Sequence, residues 1–365
     1  MRQPIDYAKA ACDTMMRKYK AEDLPPKGHF HYHQGVFLSG MYKNYLICRE
    51  EKYFTYMKDW VDSVMDDQGV LKNCDRGKLD DIQPGILLFP LIERTGEEKY
   101  KKALDWLMDG IWNFPRNPQG GFWHMSNLPD QMWLDGLYMG GPISAEYGKK
   151  YHKPEFIDLA AQQAVLMEKN TRDEKTGLWY HAWDYSRKAE WADKDTGLSP
   201  EFWGRAMGWV PVAVLDELDF MDRFHPMRGE LESLVRRLLS ALCRYQSQSG
   251  LWYQVVDKEK EAGNWPEISC SCLYTAAMFK GVRKGILSKD YLAPARKGLK
   301  GVIDSLIWEG DDVLIGGVCI GTGVGDYEHY CKRPVCVNDL HGVGAFLLMC
   351  AEAQNAEAVI EEGRA

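Results

Sequence analysis

The chain has 365 residues, 45% of them hydrophobic and 12% aromatic, with 13 Trp and a net charge of −8. Basic and acidic residues are intermixed, which argues against nucleic acid or an anionic membrane as the partner. Residues 1–6 carry no apolar signal core, no stretch reads as a bilayer span, and the 10 Cys show no disulfide or zinc spacing, so reduced thiols and a cytoplasmic protein are expected.

Helical periodicity predicts, in chain order, helices over 4–20, 34–49, 51–67, 81–95, 97–113, 135–151, 154–170, 203–221, 228–247, 268–284, 289–308 and 338–352. Short turns follow those ending near 49, 95, 151, 221 and 284, whereas long loops occupy 21–33, 68–79, 114–134, 171–202, 248–267 and 309–337. A short turn makes an antiparallel helix pair, so every long loop falls at one end of the molecule. Helices after long loops are apolar on most faces and rich in Gly and Ala, as in 204–216 and 341–351. Their partners, such as 97–113 and 228–246, are charged and amphipathic. Six inner and six outer helices predict an all-α (α/α)6 barrel. It is expected as a single domain over 1–365, with the last inner helix against the first outer one and a C-terminal tail from about 353. An open helical solenoid is the competing arrangement.

In such a barrel the inner helices all begin at the long-loop end and aim free N–H groups into one bowl. Asp80 and Asp135 lie at such starts, as do Trp203, Arg205, Trp209, Trp265 and Glu267. Asp80, Asp81 and Asp135 can each be a plain helix cap. The flanks of Asp135 (Trp133, Leu134, Gly136, Leu137) are apolar enough to raise its pKa, as a proton donor requires. His124 and His181 follow aromatic residues in loops and are either ligand contacts or loop packing. Gly-aromatic segments at 121–124, 177–181 and 250–253 are expected as sugar platforms, with core filling as the alternative. Arg205 suits a sugar carboxylate by a two-bond fork, or else a structural acid. The glycines of 321–325 predict a tight active-site loop, not a phosphate loop, since no strand precedes and no Lys-Ser/Thr follows. No His/Asp/Glu spacing reads as a metal site.

Five segments, in order along most of the chain, resemble glycoside hydrolase family 105, the unsaturated rhamnogalacturonyl hydrolases: Leu79-Asp80-Asp81-Ile82-Gln83-Pro84-Gly85, Met132-Trp133-Leu134-Asp135-Gly136-Leu137-Tyr138-Met139-Gly140, Tyr180-His181-Ala182-Trp183-Asp184, Trp203-Gly204-Arg205-Ala206-Met207-Gly208-Trp209, and Gly325-Asp326-Tyr327 through Asn338-Asp339-Leu340-His341-Gly342. The resemblance implies an (α/α)6 barrel, a reaction without metal or cofactor, and pectin fragments bearing Δ4,5-unsaturated galacturonic acid on rhamnose as substrates. It implies that Asp135 protonates the C4=C5 enol ether and helps water add at C5. Asp80 would be the second carboxylate, favoured over Asp81 because it follows Leu79. Trp133, Met139, His181, Trp203, Arg205 and Trp209 would line the pocket, with His124 on the unsaturated sugar. The segment Gly204-Arg205-Ala206-Met207-Gly208-Trp209 departs from the expected Gly-Arg-Gly-Asn-Gly-Trp, which bears on substrate specificity. The alternatives are the same chemistry on unsaturated glucuronyl oligosaccharides, an inverting glycosidase of saturated sugars, and a non-catalytic sugar-binding toroid.

Overall fold

Alternating apolar and amphipathic helices build two concentric layers in the computed structural model, which describes residues 2–361. In chain order the helices are α1 (Pro4–Lys18), α2 (Tyr32–Cys48), α3 (Glu51–Ser63), α4 (Leu88–Thr95), α5 (Glu98–Trp112), α6 (Asp135–Lys150), α7 (Pro154–Thr171), α8 (Gly204–Phe220), α9 (Arg228–Cys243), α10 (Ile268–Arg283), α11 (Leu292–Asp304), the short α12 (Tyr327–Cys331) and α13 (Leu340–Glu361). Prolines open α1 and α7, where a missing N–H costs nothing. The Glu267 side chain caps α10 by accepting from the Cys270 N–H.

Burial separates the layers. Every residue from Ile268 to Val282 of α10 is buried, whereas α9 buries one stripe, including Leu231, Leu234, Val235, Leu238 and Leu242. Inner contacts run α2, the turn Gln83–Leu87, α6, α8, α10, α13 and back to α2, which closes the ring. Outer helices α1, α7, α9 and α11 pack on α13, α6, α8 and α10. The predicted (α/α)6 barrel is therefore the observed fold. At the closing seam the backbones of α2 and α13 nearly touch: a Cβ on Gly344 would come within 2.6 Å of the Val36 backbone, so only glycine fits. The Asn44 side-chain amide also donates to the Leu347 carbonyl across that seam.

Three expectations are corrected. The helix expected over 81–95 is instead two 3-10 turns, Leu79–Asp81 and Gln83–Leu87, before α4, because Pro84 and Gly85 disfavour continuous α-helix. The last helix runs on through 353 to Glu361, since Ala353 and Ala356 are buried in the packing; residues 362–365 lie outside the described residues. That helix is also, by length and composition, apolar enough over Leu340–Ile360 to cross a membrane, although 67% of the qualifying window is buried inside the barrel. The ten Cys are free thiols, as expected.

The long loops hold short antiparallel ribbons: β1 (Gln131–Trp133) with β2 (Ala182–Asp184), β3 (Trp252–Tyr253) with β4 (Pro266–Glu267), β5 (Ile307–Glu309) with β6 (Asp312–Leu314), and β7 (Val318–Cys319) with β8 (Val335–Cys336). The β1–β2 pairing sets Trp133 opposite Ala182, which delivers residues 135 and 181 to the same place.

Candidate active site

Asp135 is the first residue of α6, yet its carboxylate caps nothing. It accepts from His181 Nε2 at 3.0 Å, while His181 Nδ1 stands 2.7 Å from the Tyr330 hydroxyl. That hydroxyl accepts from the Gly325 N–H at 3.1 Å, so its own proton is free for His181 Nδ1. The chain of donors then leaves the His181 Nε2 proton pointing at Asp135. His181 itself is fully buried behind Asp135 and anchors it from below.

The charges differ from the sequence expectation. Burial alone pushes the Asp135 carboxyl up, but the His181 hydrogen bond, with His181, His124 and Arg205 nearby, holds it below the ordinary value. Of Asp80 and Asp135 the raised carboxyl is Asp80: burial, Asp135 and Asp81 lift it to about 8. The apolar flanks of Asp135 could not reveal this, since its decisive partner lies 46 residues away. Asp81 is structural, accepting the Asp75 N–H at 2.9 Å, so Asp80 is the carboxyl that lines the pocket. His124 Nε2 lies 3.6 Å from Asp80, beyond a hydrogen bond. Burial lowers the His124 pKa to about 4, and its neutral ring stacks on Trp133 with centroids 4.4 Å apart.

These residues surround a cavity of about 330 Å³, within the small-ligand range of about 300–1,000 Å³. Asp80, His124, Trp133, Asp135, Met139, Trp203 and Arg205 line it, as does the Gly-rich loop at Gly321, Thr322 and Gly323. Tyr32, Met125 and Arg333 also line it and were missed, because nothing in their local sequence marks them. A second cavity of about 300 Å³ lies among Tyr42, Lys43, Glu146, Lys150 and Asp216, away from both carboxyls. Its charges are matched internally, with Lys43–Asp216 at 3.0 Å and Lys150–Glu146 at 2.7 Å.

Other assignments change. Trp209 is absent from the pocket wall; it is fully buried and stacks on Tyr138 at 4.6 Å in the core. The two-bond fork of Arg205 is occupied by the carbonyls of Cys319 (2.6 Å) and Ile320 (3.0 Å), with Trp203 beneath at 4.5 Å, so Arg205 holds a loop rather than offering a free fork. Trp179 and Trp252 are fully buried plugs and not sugar platforms. Glu267 faces inward as a cap that also accepts the Cys319 N–H at 2.9 Å, and Trp265 donates to the Cys331 carbonyl. His33, Asp339 and His341, from opposite ends of the chain, bring possible ligand atoms within 4.8 Å of one another, a metal-capable cluster that spacing concealed.

The sequence profile of Glycosyl Hydrolase Family 88 matches residues 7–356. A solved family 105 glycoside hydrolase from C. acetobutylicum ATCC 824 superposes with a TM-score of 0.91 at 34% identity, covering 95% of this chain and 99% of that one. The chain is 27% identical over 296 residues to the unsaturated rhamnogalacturonyl hydrolase YesR of Bacillus subtilis (strain 168), covering 80% of this chain and 79% of the relative. It is 26% identical over 227 residues to the unsaturated 3S-rhamnoglycuronyl hydrolase of Formosa agariphila, covering 62% and 58%.

Proposed function

Because the chain belongs to glycosyl hydrolase family 88 and is a glycoside hydrolase, we propose that it releases Δ4,5-unsaturated galacturonic acid from rhamnose in pectin-derived oligosaccharides. The observation that carries this reading is two carboxyls lining one pocket, with Asp135 ionised against His181 and Asp80 protonated near neutral pH.

The pair holds one proton at neutral pH, resting on Asp80 in the free enzyme. With substrate bound, that proton passes to Asp135, which delivers it to C4 of the electron-rich enol ether. The C4=C5 π electrons form the new C–H bond, and C5 becomes an oxocarbenium-like cation. Asp80, now ionised, stabilises that cation. Water adds at C5 and gives its proton to Asp135, which restores one proton to the pair. The hemiketal at C5 then opens and frees the neighbouring sugar. Trp133 and His124, stacked on each other, wall one side for the sugar ring, with Trp203 and Met139 lining the same cavity. Arg205 positions the Cys319–Ile320 segment at the rim.

The test is ultraviolet absorbance of lyase-digested rhamnogalacturonan I fragments mixed with the protein and with its Asp135→Asn variant. The enol-ether band should fall with the wild type and persist with the variant. A band that persists with folded wild type would sink the rhamnogalacturonyl reading. The similarity to the 3S-rhamnoglycuronyl hydrolase favours one second reading, the same hydration on unsaturated glucuronyl oligosaccharides. A fall with those fragments alone would select it.

A further inference from the structure

We propose that His33, Asp339 and His341 form a site for one divalent cation of the zinc class, at the seam where α2 and α13 close the ring. His33 lies in the first turn of α2, Asp339 just ahead of α13, and His341 in its first turn. One ligand atom from each lies within 4.8 Å of the others. Two imidazoles and one carboxylate are a set that Zn²⁺ and its neighbours take, with bonds of about 2.0–2.2 Å and water completing the shell.

The hydrogen bonds outside the cluster decide what faces inward. His341 is fully buried, and its Nε2 lies 3.1 Å from the Cys319 carbonyl. A carbonyl only accepts, so Nε2 carries the proton, and in a neutral ring Nδ1 is a bare lone pair. That Nδ1 stands 2.6 Å from Asp339 Oδ1, at an angle that makes no regular hydrogen bond. His33 repeats the pattern. Its Nδ1 lies 3.0 Å from His31 Nδ1, an atom that already accepts from the His33 backbone N–H. His33 Nδ1 is therefore the donor, and its Nε2 faces Asp339 Oδ1 at 3.8 Å as a second lone pair.

Three acceptor atoms thus converge. Ligating histidines are oriented in this way, with the outer N–H on an acceptor and the inner nitrogen free. A lone proton could bridge the short His341–Asp339 contact, but it does not draw in His33 Nε2, which stands 3.8 Å from Asp339. A cation answers all three after a small inward rotation of the His33 ring. Arg205 spends its fork on the Cys319 and Ile320 carbonyls. Tyr32, which lines the pocket, contacts His33 with ring centroids 4.2 Å apart, so the ion would pin the starts of two inner helices beside the active site.

The test is calorimetric titration of the chelator-treated full chain with ZnCl2, with thermal unfolding followed in parallel. Uptake of one Zn²⁺ per chain and a rise in Tm are expected. His33→Gln, at a partly exposed position, and Asp339→Asn should each weaken uptake at least tenfold and abolish the Tm rise. Their metal-free circular dichroism should match the wild type. His341→Ala is avoided because that side chain is fully buried. No uptake by the wild type, or uptake unchanged in both variants, overturns the site; neither readout depends on the hydrolase reaction.

Discussion

His181 donates to Asp135 across 3.0 Å while its other nitrogen takes the Tyr330 hydroxyl across 2.7 Å, so one imidazole joins the start of α6 to the short helix α12 of the last long loop. Tyr330→Phe deletes the hydroxyl and frees His181 to switch tautomer. We expect kcat to fall about tenfold to a hundredfold, as for loss of a hydrogen bond serving a charged group at about 1.5–3 kcal/mol, with KM within about twofold. Steady-state kinetics on the unsaturated oligosaccharide check this. A change confined to KM would mean that Tyr330 contacts sugar instead.

Asp80 links the site to stability. Its folded pKa of about 8 stands above the ordinary 3.8, so the folded state favours the protonated acid. That contribution is complete below about pH 4 and is lost as pH rises through 8. Asp80→Asn cannot ionise. It should therefore be more stable than the wild type in denaturant unfolding at pH 8, by on the order of a few kcal/mol, with the gap closing toward pH 4. A gap that does not vary with pH would refute the raised pKa.

Two tryptophans of equal size should respond oppositely. Trp209→Ala empties a core position and should cost about 3–5 kcal/mol in denaturant unfolding, with KM unchanged in the folded fraction. Trp133→Ala opens the pocket wall and should raise KM severalfold with a smaller loss of stability.

Arg205→Lys keeps the charge and loses the planar fork on two carbonyls. Hydrogen exchange over residues 318–323 should quicken, and kcat/KM should drop about tenfold or more. Unchanged exchange would show that the fork does not hold the loop.

The tryptophans also mark what can be read from a sequence. The layers were legible because α10 is apolar all round and α9 only on a stripe, a contrast written in residue order. Asp80 and Asp135 were legible as carboxyls at inner starts. Trp203 and Trp209 sit six positions apart on one segment, and only the neighbour on α6, Tyr138, decides which is core. The Arg205 partners are backbone carbonyls 114 and 115 residues away, which no side-chain pattern announces. The ribbons, two or three residues per strand, are too short to show a period. The His33–Asp339–His341 cluster joins positions some three hundred residues apart through ring closure alone.

Ring closure also bears on the order in which the chain is made. A ribosome that has released the chain through α11 has made Asp80, Asp135 and His181, but not Tyr330, the carbonyls that hold Arg205, or α13. Until α13 emerges, the faces of α2 and α10 that it covers are bare apolar surface, prone to self-association. A chain cut short before Leu340 leaves the ring open and those faces bare, a burden on quality control that the final helix removes.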